Sequence, residues 1–364
     1  MKWGVGLLTG NKGEWSEFYA FVKLLAEGRF HAADENLNKI EGIYYPVLRI
    51  IRNELSGKTE YHRNSEVNIV NERGETIVSV PVKRFQDHAE IILERIKNEK
   101  STFSIPEVMP FFEEIQATKL NAKSNDKSDI TIMVHDLYTG HRPWFGFSIK
   151  SFAGQNPTLF NASKSTRFVY EVEGNIDETL IHEVNTINPS HGKMRARLQR
   201  LYDAGCTLRF SGLTNDAFMR NLQIMDSLMP QILAYAVLYY FRGMATDMRH
   251  VVDILKELNP LGYDQHPSQN FYEYKIKTFL TDAALGMTAT ATWCGRYDAT
   301  GGYLFVREDG EIVCYHVYNR NEFERYLINH TKLETPGIGK HDYGTLYEED
   351  GKTYIMLNLQ VRWK

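Results

Sequence analysis

The chain has 364 residues, of which 43% are hydrophobic and 24% are charged, a composition typical of a soluble globular protein rather than a disordered chain. Its formal net charge of -4 gives no overall attraction for polyanions, so a nucleic-acid contact would have to come from local clusters of basic residues. The three cysteines are far apart and form no CxxC pair, which argues against a disulfide framework and against structural zinc. We expect a cytoplasmic protein without a membrane span, because the N-terminal sequence lacks the apolar stretch of a signal peptide and the most apolar segment, residues 228–241, is too short to cross a bilayer.

Before residue 123 the sequence predicts both helices and β-structure. Trp15, Phe18, Val22 and Leu25 recur at helical spacing, and Gly28 follows them where a helix would end. Other segments alternate or are rich in β-branched and aromatic residues, as strands are. The predicted elements are helices over residues 12–27 and 85–99, strands over residues 44–54 and 115–122, and a hairpin over residues 66–82 that turns at Gly74.

The rest of the chain predicts a central α/β unit, a helical part and a β-rich end. The elements are a hairpin over residues 128–151, a short helix over 156–166, a strand over 167–174, helices over 189–204, 214–242, 247–258 and 270–285, and two hairpins that turn at Asp309-Gly310 and Asp350-Gly351. We therefore expect an α/β fold of the α+β kind, with a mixed sheet flanked by helices and additional β-rich N- and C-terminal parts. The expected regions are residues 1–84, a core over 85–210, a helical region over 211–299 and a β-rich region over 300–364, unless all four form one body.

The predicted hairpin brings three polar residues together. Side chains alternate along a strand, so Ser148 and Lys150 share one face of the second strand, while the other face is apolar. Antiparallel pairing places Asp129, at the start of the first strand, beside them. One interpretation is a structural salt bridge between Asp129 and Lys150. The other is phosphodiester hydrolysis, in which a carboxylate holds Mg²⁺ while a lysine orients or deprotonates the nucleophile and offsets the phosphate charge.

Two segments carry basic residues and no acid. They are residues 140–170, with Arg142, Lys150, Lys164 and Arg167, and residues 184–202, with Lys193, Arg195, Arg197 and Arg200. In an acidic protein such segments indicate one electropositive surface, unless the charges merely cluster by chance on a solvated helix.

The order of the elements resembles a known nuclease core. The predicted order resembles that of the PD-(D/E)xK nuclease core, which residues 85–210 would then form. In this order a helix and a strand are followed by the strand with Asp129, the strand with Lys150, a helix and a last strand. The chain also resembles the HpaII-like family of type II restriction endonucleases over nearly its whole length, from NKGEW near the N-terminus to the last residues. The similar segments are KSDITI, GFSIKS, PTLFNAS, TRFVYEVEG, NLQIMDSLMPQILA and LNLQVRWK.

The resemblance implies a homodimeric, Mg²⁺-dependent enzyme that cuts both strands of double-stranded DNA at a short palindrome, CCGG, after the first C. It also implies a DNA methyltransferase that protects the host's own sites without being a physical partner. Asp129 matches the main metal ligand and Lys150 the catalytic lysine. Ser148 stands where the family pattern has a second acid, so the metal ligands are incomplete.

An acid from elsewhere in the chain can replace the one missing at Ser148. Glu171 ranks first, because its strand is expected to pair beside Lys150, and Glu90, Glu94 and Glu114 are the alternatives. Otherwise one metal is held with the Ile149 carbonyl and water. For DNA contact we expect phosphate binding by Lys164 and Arg167, and groove or phosphate binding by Lys193, Arg195, Arg197 and Arg200.

Two other functions are compatible with these residues. A catalytically silent DNA-binding protein on a nuclease scaffold is conceivable because of Ser148. A hydrolase that uses Ser148 and Lys150 is disfavoured, because residues two apart on a strand are about 6–7 Å apart, which is too far for direct proton transfer.

Overall fold

The chain folds into an α+β structure, as its sequence predicts. The computed structural model describes residues 7–121, 128–137, 139–154, 156–341 and 343–364. The α-helices are α1 (Lys12–Glu27), α2 (Val82–Asn98), α3 (Met109–Glu114), α4 (Glu178–Thr186), α5 (Lys193–Asp203), α6 (Asp216–Met225), α7 (Met229–Phe241), α8 (Met248–Leu258), α9 (Phe271–Leu285), α10 (Arg320–His330) and α11 (Ile338–His341). The strands are β1 (Thr9–Gly10), β2 (Arg29–Ala33), β3 (Lys39–Glu54), β4 (Gly57–Arg63), β5 (Glu66–Val70), β6 (Thr76–Pro81), β7 (Phe103–Ser104), β8 (Ile130–Val134), β9 (Trp144–Ser151), β10 (Thr158–Phe160), β11 (Arg167–Glu173), β12 (Thr207–Leu213), β13 (Gly302–Val306), β14 (Ile312–His316), β15 (Thr331–Leu333), β16 (Leu346–Glu349), β17 (Lys352–Asn358) and β18 (Val361–Trp363).

The chain divides into two compact units that do not follow the expected regions. Unit 1 comprises Met1–Pro157 and Tyr297–Tyr326, and unit 2 comprises Thr158–Arg296 and Leu327–Lys364. The predicted core over residues 85–210 is therefore split after Pro157. The reason is that strands from the N-terminal, central and C-terminal parts of the chain pair in one sheet, which local sequence patterns do not reveal.

The main sheet of unit 1 has nine strands in the order β2-β14-β13-β9-β8-β3-β4-β5-β6. The long strand β3 pairs with β2 through residues 39–46 and with β8 through residues 47–51, so six of these strands form a closed ring of pairings. The predicted 128–151 hairpin is confirmed as β8 and β9, and β9 has β13 as its parallel neighbour on the other side.

Helix α1 covers the apolar face of this sheet. Its N-terminus is closed by reciprocal hydrogen bonds between Asn11 and Glu14, and Gly28 ends it with φ of 70°, so the predicted bounds of 12–27 are confirmed. Trp15 and Phe18 of α1 lie in one core with Phe147 and Ile149 of β9. The apolar face predicted for the hairpin is thus the one that is buried.

A buried histidine in the same unit makes stability depend on pH. The His316 ring lies against the rings of Tyr45, Phe145 and Tyr318, with centroid separations of 4.9, 4.9 and 4.4 Å. Burial lowers the pKa of His316 to about 4, although the charge of Asp136 opposes this shift. In the unfolded chain the imidazole has an ordinary pKa of about 6.5, so between these values only the unfolded state takes up the proton.

The free energy of unfolding is therefore expected to fall as the pH falls from about 6.5, by about 3 kcal/mol at pH 4 from this group alone. In His316→Phe this part of the pH dependence should disappear, because no proton is then taken up at position 316. Urea unfolding at pH 7 and pH 4.5 measures the difference, and His250→Gln, at an exposed position, is the control. An unchanged pH dependence in His316→Phe would contradict the assignment.

Unit 2 contains two smaller antiparallel sheets and most of the helices. The sheets have the orders β12-β11-β17-β16 and β10-β18-β15, and α6, α7, α8 and α9 pack against one another. The predicted helix over residues 214–242 is confirmed as helical but is interrupted between α6 and α7. Asp226 ends α6 in an extended conformation, and Pro230 stands in the first turn of α7, where a missing N–H is tolerated.

Two predicted elements before β11 are wrong. Residues 115–121 form no strand, and residue 122 lies outside the described residues. Side chains bind this backbone instead of a neighbouring strand: Arg52 donates to the carbonyls of Lys119 and Leu120, and Glu54 accepts from the N–H of Thr118. Residues 156–166 form strand β10 and one 3₁₀ turn over Lys164–Thr166 rather than an α-helix.

Helices in the described part of the chain are all too short or too polar to cross a membrane.

Candidate active site

The β8–β9 hairpin brings Asp129 beside the end of β9. Thr131 pairs with Gly146 and Ile130 with Phe147, and Asp129 directly precedes this paired stretch. The Asp129 N–H donates to the Phe147 carbonyl at 2.9 Å, and its Oδ2 accepts the N–H of Ile149 at 2.8 Å. The strand backbone therefore holds this carboxylate in one orientation at the open end of the hairpin.

Lys150 is two residues beyond Ser148 on β9, so the two side chains share one face of the strand. Lys150 is half-buried. Residues diagonally opposite across a strand pair are about 7–8 Å apart, which leaves room between the Asp129 carboxylate and the ammonium. No ion pair joins these two residues, both of which the structure describes, so the structural salt bridge left open by the sequence is not found. The lysine charge remains available to a ligand.

Tyr303, which was not predicted as a site residue, contacts the serine from the other neighbouring strand. It lies opposite Ser148 in the parallel pair of β13 and β9, and the two side chains form a hydrogen bond. Burial raises the pKa of the Tyr303 phenol and the charge of Asp129 raises it further, while the hydrogen bond from Ser148 acts in the opposite direction. The position of the expected second acid is therefore occupied by two neutral hydroxyl groups. Local sequence held no signal for Tyr303, because the β9–β13 pairing joins distant parts of the chain.

A small pocket brings a second carboxylate to Asp129. Its free volume is about 10 Å³, roughly that of one water molecule. The polar residues that line it are Glu17, Arg52, Asn121 and Asp129, and the remaining lining residues are Phe21, Ile51, Leu120 and Ile130. Glu17 is thus an acid beside Asp129 that is not among the four predicted from the sequence. The sequence did hold one sign of this: Glu17 is a charged residue within a stretch of α1, residues 15–22, whose other members are buried.

The pocket suits a small divalent cation. Oε2 of Glu17 and Oδ1 of Asn121 are shielded from solvent, and the Asn121 oxygen accepts no hydrogen bond from the described residues. Among the described residues no three His, Cys, Asp or Glu side chains converge, so a protein-only metal cage is absent from that part of the chain. Mg²⁺ does not need such a cage, because it is commonly bound by one or two carboxylates together with water and substrate phosphate. Two carboxylates and an amide oxygen match this preference, and the positive charge of Arg52 in the same lining is offset by its ion pair with Glu54.

The acids predicted from sequence lie elsewhere or are already paired. Strand β11 pairs with β12 and β17, so the expectation that it lies beside Lys150 is wrong. Glu171 on β11 forms ion pairs with Arg209 and Lys352, and Glu114 forms one with Arg84. Glu90 and Glu94 are on the exposed face of α2. Glu171 ranked first in the prediction because the order of the strands along the chain does not reveal which strands are neighbours in the sheet.

Three of the predicted DNA-binding arginines have structural partners. Arg197 is buried and donates to the carbonyls of Ile187, Gly344 and Asn185. Arg167 is also buried and donates to the His341 carbonyl, and Arg200 forms an ion pair with Glu183. The DNA-contact prediction is therefore corrected for Arg197 and Arg167, because a buried guanidinium bound to carbonyls cannot reach a phosphate. Lys164 is exposed.

Two of the predicted DNA-binding residues, Lys193 and Arg195, line a cleft of about 770 Å³ within unit 2. Lys193 and Arg195 reach it from the start of α5 and Lys332 from β15, and among the described residues none of the three forms an ion pair. Glu334, also in the lining, is paired with Arg362 at 3.2 Å. Gly243, with φ of 77°, lies under the Arg195 guanidinium, where a side chain would displace it. The cleft thus has a surplus of positive charge, to which one of the two predicted basic segments contributes.

The similarity of this chain to known proteins extends over almost its whole length. Residues 11–363 match the profile of the HpaII restriction endonuclease family. The chain is 41% identical over 359 residues to the type II restriction enzyme HpaII of Haemophilus parainfluenzae, and the match covers 98% of each chain. No solved structure matches the chain. The chain therefore belongs to the HpaII family of restriction endonucleases and is a site-specific deoxyribonuclease.

Proposed function

We propose that this protein is a Mg²⁺-dependent type II restriction endonuclease that cuts both strands of double-stranded DNA at CCGG, the site that the family resemblance implies. The observation that carries the metal part of this proposal is the ion-sized pocket that Glu17 and Asp129 share at the end of the hairpin with Lys150. We further propose that the enzyme acts as a homodimer, because a palindromic site has the two-fold symmetry of a dimer with one active site for each strand.

In this proposal Asp129, Glu17 and Asn121 hold the metal. Bound Mg²⁺ would supply charge that polarises the scissile phosphate and lowers the pKa of the attacking water. The hydrogen bond from the Ile149 N–H keeps the Asp129 carboxylate in place, so little reorganisation is needed when the metal binds. The second acid, Glu17, would come from α1 instead of β9, which accounts for the absence of an acid at position 148.

Lys150 acts on the phosphate and on the nucleophile. Its ammonium, which forms no ion pair with Asp129, offsets negative charge on the phosphate and orients the water for attack. The neutral pair of Ser148 and Tyr303 beside it adds no negative charge that would repel the phosphate. The proposed metal site therefore has two carboxylates, those of Asp129 and Glu17, and position 148 contributes none.

The cleft of unit 2 is proposed to bind the DNA backbone. Lys193, Arg195 and Lys332 lie on its lining without ionic partners, so they can neutralise phosphates when DNA binds. Lys164, which is exposed, is proposed as a further phosphate contact.

Incubating the purified protein with plasmid DNA and Mg²⁺ tests the proposed function. We expect discrete fragments whose ends map to CCGG sites, and no cleavage when EDTA replaces Mg²⁺. Intact plasmid across Mg²⁺, Mn²⁺ and Co²⁺, with DNA binding retained, would favour the catalytically silent DNA-binding protein. Fragments with ends at another sequence would reject CCGG and leave the nuclease assignment standing.

Removing single charges from the cleft is expected to weaken DNA binding in a salt-dependent way. Lys193→Ala and Lys332→Ala should each reduce the slope of log affinity against log salt by about 1, because each releases about one counterion fewer. Fluorescence anisotropy with a duplex in EDTA, repeated over a series of KCl concentrations, measures the slopes.

Lys256→Ala is the matched control for the cleft variants, because Lys256 is an exposed lysine of α8 outside the cleft. If the slopes of the Lys193 and Lys332 variants equal that of the control, the cleft does not bind DNA.

A further inference from the structure

A buried ion pair adjoins the candidate metal pocket, and one of its members, Arg52, is part of the lining. Arg52 and Glu54, at the end of β3, are 5% and 4% exposed, and Nε of Arg52 donates to Oε1 of Glu54 at 2.6 Å. Charged side chains are costly to bury unless further hydrogen bonds complete their coordination. The additional partners of this pair lie in two segments, and each segment carries one of the oxygen ligands of the pocket.

The first segment is residues 117–121, which has no neighbouring strand to fix it. Oε2 of Glu54 accepts hydrogen bonds from both the N–H and the hydroxyl of Thr118, each at 2.7 Å. The Arg52 guanidinium donates to the carbonyls of Lys119 and Leu120. Because Asn121 follows these three residues directly, the ion pair sets where the Asn121 oxygen enters the pocket.

The second segment is helix α1. The Arg52 guanidinium lies over the rings of Phe18 and Phe21, at 5.3 and 4.6 Å from their centroids. A guanidinium at this distance from an aromatic face is attracted to it. Phe18 and Phe21 adjoin Glu17 on the helix, one residue and one turn away, so the same guanidinium also fixes the position of the Glu17 backbone.

We propose that Arg52 is a positioning residue of the metal site, which holds Glu17 and Asn121 at the separation that one small cation requires. The proposal rests on the proposed function, in which this pocket binds Mg²⁺. A planar guanidinium suits the task because it can donate to Glu54 and to two carbonyls while its face contacts both rings. A lysine at position 52 would keep the charge and lose the fork of donors and the flat contact surface.

The test is the metal affinity of Arg52→Met and Arg52→Lys in the presence of a CCGG duplex. Mn²⁺ is the probe, since the electron paramagnetic resonance signal of the free ion reports the bound fraction without any turnover. Groups that orient metal ligands typically change metal affinity by about 10- to 100-fold, and we expect this range for Arg52→Met and a smaller loss for Arg52→Lys. The Mg²⁺ concentration for half-maximal cleavage should rise in parallel, while DNA affinity in EDTA stays at the wild-type value.

Arg63→Met is the matched control. Arg63 also donates to a backbone carbonyl of α1, that of Leu25, but at the far end of the helix from Glu17. It should lower the melting temperature without changing Mn²⁺ affinity. If Arg52→Met does not fold, Arg52→Lys decides the question, because it retains the cation opposite Glu54.

The outcomes separate this inference from the function on which it rests. If wild-type protein with DNA binds no Mn²⁺, the proposed metal site fails. If wild type binds Mn²⁺ and folded Arg52→Lys or Arg52→Met binds it equally well, the metal site stands and the positioning role of Arg52 is overturned.

Discussion

Replacing Asp129 with asparagine is expected to reduce the rate of DNA cleavage by about a thousandfold and to preserve DNA binding. Asparagine has nearly the same volume, and its side-chain oxygen can still accept the Ile149 N–H, so the hairpin should remain intact. What is lost is the negative charge that holds the metal. Single-turnover cleavage of a labelled CCGG duplex measures the rate, and anisotropy in EDTA measures the binding.

Lys150→Met, alone and combined with Asp129→Asn, tests whether the two residues act together in cleavage. Methionine keeps an unbranched apolar side chain and removes the ammonium. If both residues act on one transition state, the double variant should be no more than about tenfold slower than the slower single variant. Multiplication of the two losses would show that Asp129 and Lys150 act independently, and wild-type rates in both single variants would reject the site.

Replacing Glu17 with glutamine is expected to raise the Mg²⁺ concentration for half-maximal cleavage by about 100-fold or more. The substitution preserves helix propensity and an oxygen in the pocket, and it removes one of the two carboxylate charges that attract the cation. A magnesium titration of the single-turnover rate separates this effect from loss of folded protein. A high Mg²⁺ concentration should restore much of the rate.

Glu90→Gln and Glu94→Gln are controls for Glu17→Gln, because they make the same chemical change on the exposed face of α2. Both should titrate with Mg²⁺ like the wild type. If either control needs more Mg²⁺ for half-maximal cleavage while Glu17→Gln titrates normally, the second acid belongs to α2 and not to α1.

Much of the hairpin that carries the candidate site could be predicted from sequence because its signals are local. Alternation over residues 128–151 assigned the faces of β8 and β9, and the two strands pair antiparallel as expected. The helix over residues 12–27 was also predictable, since apolar spacing and a terminal glycine specify it without reference to the rest of the chain.

The missing acid could not be predicted in this way. Glu17 precedes Asp129 by a long stretch of chain, and only the packing of α1 against the sheet brings the two carboxylates to one pocket. The strand predicted over residues 115–122 failed for a related reason. Its β-favouring residues found no sheet edge, because the buried Arg52–Glu54 pair binds their backbone instead.

The sequence by itself therefore determined the hairpin, its buried apolar face and the family of the protein. The tertiary structure decided that Tyr303 contacts Ser148, that Glu17 rather than Glu171 shares a pocket with Asp129, and that Arg195 is accessible while Arg197 is buried. The physical reason is that periodicity specifies which face of an element is apolar. Which elements then bury those faces against each other depends on pairings between distant segments, whose free energy belongs to the whole fold.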